Sequence, residues 1–196
     1  HLGEVGYEVV SDSVFSKISD TCTPQGVLCV LKQFHYNIEE MLRDKAPLFL
    51  LLENIQDPGN LGTMLRTGEG AGVSGIIMSR DTVDLYNPKV IRSTMGSIYR
   101  VPFYYADDFA AAVHQVQQAG VSVYAAHLRG KNSYACQDYT KGTAFLIGNE
   151  GNGLREETAE LADCYIRIPM EGKVESLNAA VASSILMYEA HRQRAI

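Results

Sequence analysis

Six short apolar runs, separated by helical and loop segments, constrain the fold of this chain most. They occupy residues 47–54, 74–79, 101–106, 121–126, 143–148 and 164–169. Runs that are apolar at nearly every position are typical of strands buried on both faces, as in a parallel sheet. The segments between them must then supply helices that cover both faces. The sequence therefore predicts an α/β fold: a parallel sheet flanked by helices, closed by a long helix over 177–194.

Local signals bound the predicted helices. Asp107 is predicted to cap a helix that Gly120 ends, and Ser176 can cap the last helix. Residues 70–75, "GAGVSG", match the GxGxxG pattern of dinucleotide-binding proteins. That pattern must follow a strand and open a helix, whereas here it closes a helix (61–72) and leads into a strand. It is interpreted as a helix end and a turn, which disfavours a Rossmann-type enzyme.

The first 36 residues have a different character. The stretch "TPQGVLCVLKQF" (23–34) predicts one strand, but nothing before it completes a folding unit. The chain also begins with His1 rather than Met. We interpret 1–36 as the end of an N-terminal domain plus a linker, whose upstream residues are missing, and 37–196 as the main domain.

Charge leaves the question of a nucleic-acid surface open. The net charge of −6 argues against broad non-specific binding of nucleic acid. Five cations nevertheless fall within 35 residues: Arg66, Arg80, Lys89, Arg92 and Arg100. They form either a local basic patch or part of a mixed solvated surface, since acids lie among them.

Cysteine and histidine spacing indicates neither a metal site nor a disulfide framework. The cysteines, Cys22, Cys29, Cys136 and Cys164, are scattered without a close pair. Reduced thiols favour a cytoplasmic protein. No apolar run approaches the length of a membrane span.

Three segments are difficult to explain as scaffold alone. They are "ENIQDPGNLGTMLRT" (53–67), "FLIGNEGNGL" (145–154) and "IRIPMEGKVESLNAAVASS" (166–184). Each follows or contains the end of a predicted strand, and open α/β sheets bind ligands beyond the carboxyl ends of their strands. Asn60 and Arg66 lie six residues apart in the first segment, and we expect them to converge on one place.

These three segments resemble the three successive motifs of the SpoU (TrmH-like) family of RNA ribose methyltransferases, in family order and spacing over residues 47–194. The segment before them resembles the end of a small RNA-binding domain that many members carry. The resemblance implies a SPOUT-type trefoil knot and a homodimer. It further implies S-adenosylmethionine as donor, without a metal, and methylation of a ribose 2′-hydroxyl, in rRNA in preference to tRNA.

The resemblance also implies the cofactor pocket. Gly148, Ile168 and Leu177 match its contacts, and Met170 and Leu128 are expected as neighbours. Glycine lets main-chain groups approach a ligand closely, which would explain the glycine-rich run after the fifth apolar run.

The matching polar residues are Arg66, Asn60, Ser176, Asn178 and Glu150. Arginine stays protonated in almost any protein site, so Arg66 is interpreted as a cation that binds a phosphate and stabilises a developing alkoxide. Asn60, Ser176 and Asn178 orient the hydroxyl or the loops. Glu150 either contacts the substrate or accepts hydrogen bonds from loop amides, and the second is favoured.

A non-catalytic RNA-binding relative of the same fold is the alternative. Loss of Asn60, Arg66 or Asn178 would support it, and all three residues are present. The sequence thus favours the enzyme.

Overall fold

A seven-stranded sheet organises the chain in the computed structural model, which describes residues 6–19 and 21–195. The strands are β1 (Leu48–Leu52), β2 (Gly75–Ser79), β3 (Phe103–Ala106), β4 (Ser122–Ala126), β5 (Asn132–Ser133), β6 (Thr143–Ile147) and β7 (Cys164–Arg167). Their order across the sheet is β3-β2-β1-β6-β4-β7-β5, and every neighbouring pair is parallel. The predicted parallel α/β fold is confirmed.

Helices connect most of these strands. The α-helices of the described residues are α1 (Asp12–Ile18), α2 (Ile38–Met41), α3 (Pro58–Ala71), α4 (Pro88–Thr94), α5 (Phe109–Gln118), α6 (Glu156–Ala159) and α7 (Ala179–Arg194). Of these, α3, α4, α5 and α6 connect strands, whereas α1 and α2 precede β1 and α7 follows β7. Within the described residues, no helix has both the length and the apolarity needed to cross a membrane.

The centre of the sheet carries the core. All five residues are buried in each of β1, β2 and β6. Leu50 of β1 pairs with Phe145 of β6, and both side chains are fully buried. Burying a side chain of this size stabilises the fold by about 1.5–3 kcal/mol. Strands that are apolar on both faces obtain this stabilisation at every position only when helices cover both faces of the sheet.

The strand order decides which loops meet. β1 and β6 are neighbours, with Leu52 opposite Ile147, so their carboxyl ends lie side by side. The chain leaves β7 on the far side of β4 and returns to α7, which packs against α3: Ser184 Oγ lies 3.3 Å from Thr67 Oγ1. The return segment, 168–178, crosses this edge of the sheet. Such a path is required for the knot that the family resemblance implies, and the threading itself stays a prediction.

Two local predictions need correction. No strand forms within 23–34, where Val27 and Val30 are 73% and 90% exposed; a strand needs a neighbouring strand and a covered face. Asp108, not Asp107, caps α5, since its side chain accepts a hydrogen bond from the Ala111 amide. Asp107 instead forms an ion pair with Arg80 (2.7 Å).

Two predicted helix ends are confirmed. Gly72 ends α3 in the left-handed conformation (φ +78°), so "GAGVSG" is a helix end as predicted. Gly120 likewise has φ +81° just after α5. Residues His1–Phe34 and His35–Ile196 form two compact units, and all the strands belong to the second.

Candidate active site

The glycine-rich loop after β6 is closed on itself. The amide of Asn149 donates to the Gly153 carbonyl (3.0 Å), and the Gly153 amide donates back (2.9 Å). The Asn149 side-chain oxygen also accepts from the amides of Gly151 (2.9 Å) and Asn152 (3.0 Å). Gly153 has φ +71°, a conformation that favours glycine. Residues 149–153 therefore form a ring that is closed by the loop's own hydrogen bonds.

Gly148 is required by this ring. A Cβ atom on Gly148 would lie 2.2 Å from the carbonyl carbon of Gly153 and 2.2 Å from the amide nitrogen of Leu154. Its missing side chain thus serves the close approach of its own loop, in addition to the cofactor contact that the resemblance implies. Prediction from sequence identified the residue and missed this reason.

Glu150 ties the loop to the segment that follows β1. Its carboxylate accepts hydrogen bonds from the backbone amides of Gln56 (3.1 Å) and Asp57 (3.0 Å) and from the side-chain amide of Asn60 (3.0 Å). These contacts support the interpretation that Glu150 holds the loops in shape. Burial raises the pKa of Glu150, but the hydrogen bonds from Asn60 and the backbone together outweigh it, so the pKa lies below its ordinary value.

We expect Glu150→Gln to lower stability at neutral pH by about 1 kcal/mol, because an amide group then faces one of these donors. A carboxyl pKa that is lowered on folding stabilises above the unfolded pKa, and the effect is lost as pH falls through the folded value. The difference between wild type and Glu150→Gln in urea unfolding should therefore shrink as the pH drops below 4.5, the ordinary value. A difference independent of pH would contradict this role.

Asn60 and Asn178 extend the connection to the third segment. The Asn178 side chain donates to the Asn60 side-chain oxygen (3.0 Å), and its own oxygen accepts from the amides of Ala180 and Val181. Asn178 is therefore the cap of α7. The expectation that Ser176 caps this helix is wrong, because Ser176 lies two residues before the cap position. One chain of hydrogen bonds, Glu150–Asn60–Asn178, joins all three motif segments.

Two cavities meet at the Glu150–Asn60–Asn178 chain of hydrogen bonds. The first, of about 230 Å³, is lined by residues from the ends of β4, β6 and β7, from the return segment and from the start of α7, most of them apolar residues or glycines. It includes every predicted cofactor contact: Gly148, Ile168, Leu177, Met170 and Leu128. Ser176 also lines it.

The second cavity is more open and polar. It lies beside Gln56, Asp57, Asn60 and Asn178. Both cavities share Asn149, Glu150 and Gly151 as a common wall.

Arg66 stands apart from this cluster. It lies on the exposed side of α3 and lines neither cavity. α3 begins at Pro58, so Asn60 is already helical, and six residues of helix place the two side chains about 120° apart. Within one chain, the structure therefore does not bring Asn60 and Arg66 together, contrary to the expectation from their spacing.

Sequence reasoning missed a second connection between the loops. Glu53, 2% exposed, accepts from the backbone amide of Arg155 (2.8 Å) and from the hydroxyl of Thr158. The Arg155 guanidinium bridges Glu53 and Asp81. A carboxylate directly after a buried strand was the available signal, whereas nothing local marked Arg155.

His127 was also missed. It lines the first cavity, and its ring stacks at 5.0 Å on Tyr165. Burial, together with the nearby Arg129, lowers the pKa of His127, so the ring is mainly neutral at pH 7. The described residues contain no cluster of three or more His, Cys, Asp or Glu side chains suited to a metal ion.

A parallel sheet with a largely apolar cavity beyond its carboxyl ends, next to a polar cleft, defines the class of α/β proteins that bind a small cofactor beside a second substrate. Residues 47–188 match the family model described as the SpoU rRNA Methylase family. Since this match spans more than half of the chain, the protein belongs to that family.

Individual relatives agree with this assignment. The chain is 35% identical over 180 residues to the 23S rRNA (guanosine(2553)-2′-O)-methyltransferase RlmP of Bacillus subtilis, covering 92% of this chain and 70% of that one. An AdoMet-bound rRNA methyltransferase from Sinorhizobium meliloti has a TM-score of 0.84 at 36% identity, over 93% of this chain and 70% of that one. The SpoU methyltransferase AviRb from Streptomyces viridochromogenes, in complex with AdoMet, gives 0.76 at 31%, over 81% and 62%. The chain thus spans less than two thirds of AviRb.

Proposed function

We propose that this chain is the methyltransferase part of an enzyme that transfers a methyl group from S-adenosylmethionine to a ribose 2′-hydroxyl of rRNA. One observation carries the proposal: the Glu150–Asn60–Asn178 chain holds three loops together at the wall between an apolar cavity and a polar one. A methyl transfer needs two such compartments in contact, one for the donor and one for the acceptor.

The residues of the first cavity fit S-adenosylmethionine. Leu128, Ile168, Met170 and Leu177 offer apolar surface for the adenine and the methionine chain. The exposed main chain of the loop at 148–153 offers hydrogen-bonding groups for the polar ends. When bound, the cofactor supplies an activated methyl group, so the protein itself has only to align the reactants and remove one proton.

The protein's own side chains perform that alignment. Glu150 keeps the wall between the cavities rigid, and Asn60 and Asn178 present amide groups to the polar cavity, where they orient the ribose. Arg66, a permanent cation, binds a neighbouring phosphate and stabilises the oxygen as its proton leaves. The proton passes to water or to a substrate phosphate.

The position of Arg66 outside both cavities of its own chain favours a homodimer in which it serves the partner's site. The face of α7 beside it carries Val181 and Tyr188, which are 48% and 49% exposed. A Cβ on Gly70 would lie 3.0 Å from the Tyr188 hydroxyl, so α3 and α7 form one continuous surface. An RNA substrate and unpaired cysteines fit a cytoplasmic location.

Calorimetry tests the cofactor assignment. We expect the chain to bind S-adenosylmethionine, or its demethylated product, with unchanged affinity after treatment with a chelator, because the described residues contain no cluster of His, Cys, Asp or Glu side chains suited to a metal ion. Binding that disappears with the chelator, or no binding at all, would contradict the proposal.

Mapping of ribose methylation in total RNA, from cells with and without the gene, tests the reaction and identifies the nucleotide. We expect one 2′-O-methyl site in rRNA to be lost. If cofactor binds and no RNA site changes, the non-catalytic alternative is correct.

A further inference from the structure

The structure divides the five cations between residues 66 and 100 into two groups, according to whether a carboxylate pairs with them. Arg80 pairs with Asp107, and Arg100 pairs with Glu69 through two hydrogen bonds. Among the described residues, the other three have no carboxylate within ion-pair distance: Arg66, Lys89 and Arg92. The sequence left open whether these cations form a basic patch or part of a mixed surface. In the structure, carboxylates neutralise Arg80 and Arg100 and leave the other three cations without an ion-pair partner among the described residues.

The unpaired cations lie along one helix–helix contact. α3 and α4 touch where a Cβ on Gly62 would lie 1.6 Å from the Ser93 hydroxyl oxygen, and Ser93 donates to the Pro58 carbonyl (3.1 Å). Arg66 lies one turn beyond Gly62. Lys89 lies one turn before Ser93, and Arg92 directly precedes it. All three cations are exposed.

Exposed apolar side chains accompany these cations. Met95, which ends α4, is 68% exposed and has φ +51°, a conformation that costs free energy in any residue but glycine, asparagine or aspartate. Tyr99, four residues further along the chain, is 51% exposed. Both side chains therefore present apolar surface to solvent.

We propose that the α3–α4 face, formed by Arg66, Lys89, Arg92, Met95 and Tyr99, binds the backbone of the substrate RNA beside the target nucleotide. This inference rests on the proposed function and names the surface that holds its substrate. Unpaired cations on a chain of net charge −6 attract phosphates locally, and adjacent apolar and aromatic groups give unstacked bases a surface to pack on.

The test removes two of the cations and leaves Arg66 intact. The double variant Lys89→Gln/Arg92→Gln is compared with Lys45→Gln/Lys141→Gln, which loses the same charge at exposed positions just before the amino-terminal ends of β1 and β6. The probe is a fluorescein-labelled single-stranded RNA of mixed sequence, and its affinity is measured by anisotropy between about 50 and 200 mM KCl.

We expect the first double variant to bind the RNA roughly 10-fold more weakly at about 0.1 M salt, with a salt slope reduced by about 1.4, the value for two lost contacts to single-stranded RNA. The control variant should match wild type. Both variants should bind S-adenosylmethionine normally, so a failure of the cofactor assignment is detected separately.

Three results would overturn the inference. They are equal losses in both double variants, no loss in either, and no measurable RNA binding by wild type. A change in sedimentation of Lys89→Gln/Arg92→Gln, without a change in salt slope, would assign the face to contact with a second copy of the chain.

Discussion

Arg66→Ala should lower turnover by roughly 10²–10³ and leave the affinity for S-adenosylmethionine unchanged, as for the loss of one donor to a developing oxyanion. The affinity should hold because Arg66 lines neither cavity. Turnover should fall because its guanidinium is the only group to which the proposed mechanism assigns the charge on the ribose oxygen. Single-turnover methyl transfer, measured beside calorimetry of cofactor binding, separates the two effects.

Arg66→Lys should fall nearly as far as Arg66→Ala. Lysine keeps the charge but loses the planar fork that can hold a phosphate and an oxyanion together. Arg43→Ala is the matched control, since Arg43 is also exposed and lies after α2, outside the three motif segments. Near-normal turnover of Arg66→Ala would remove this residue from the mechanism.

A mixed dimer tests which subunit Arg66 serves. Arg66→Ala is combined with Ala182→Trp, which we expect to fill the first cavity from α7 while the sequence of the glycine-rich loop stays unchanged. If Arg66 acts across the dimer, the mixture regains activity, because one intact cavity then faces one intact Arg66. No recovery would mean that each site is complete within its own chain.

The part of the site that follows from β-sheet geometry was predictable. Parallel strands end at the same edge, so loops rich in Gly, Asn and Pro after these strands had to gather there. Gly72 as a helix end was predictable from local sequence, because "GAGVSG" follows a helical pattern and precedes a strand. The order β1-β6-β4 did not follow, because it depends on pairings between residues nearly 100 positions apart, such as Leu52 with Ile147.

Two errors at the site have local physical causes. The sequence placed Asn60 before the helix, whereas Asp57 caps α3 and Pro58 opens it, so helical phase turns Asn60 away from Arg66. Ser176 and Asn178 are both favourable N-cap residues by type. In the structure Asn178 caps α7, and its side chain also donates a hydrogen bond to Asn60, a contact that the sequence does not reveal. The buried Glu53–Arg155 connection needs the folded chain before it can be recognised.

Gly148→Ala should have the largest effect on the cofactor cavity. The added methyl group would lie 2.2 Å from backbone atoms of Gly153 and Leu154, neither of which can move aside like a flexible side chain. The loop must therefore shift, at a cost of roughly 1–3 kcal/mol, the usual range for overpacking. Since the same loop forms the wall of the cavity, we expect affinity for S-adenosylmethionine to fall roughly 100-fold, equivalent to about 2.7 kcal/mol.

Gly151→Ala is the matched control in the same loop. A Cβ there would lie 3.5 Å from the Asn149 side-chain oxygen, an ordinary contact, so the methyl group is accommodated without moving the backbone. We expect its urea unfolding midpoint to match wild type and its cofactor affinity to change by less than about 3-fold, below 1 kcal/mol. The comparison separates two roles of the glycine-rich loop. If Gly148→Ala loses affinity while its stability matches Gly151→Ala, the missing side chain serves the cofactor directly. If stability and affinity fall together, glycine at position 148 is there because the ring that forms the cavity wall cannot close around anything larger.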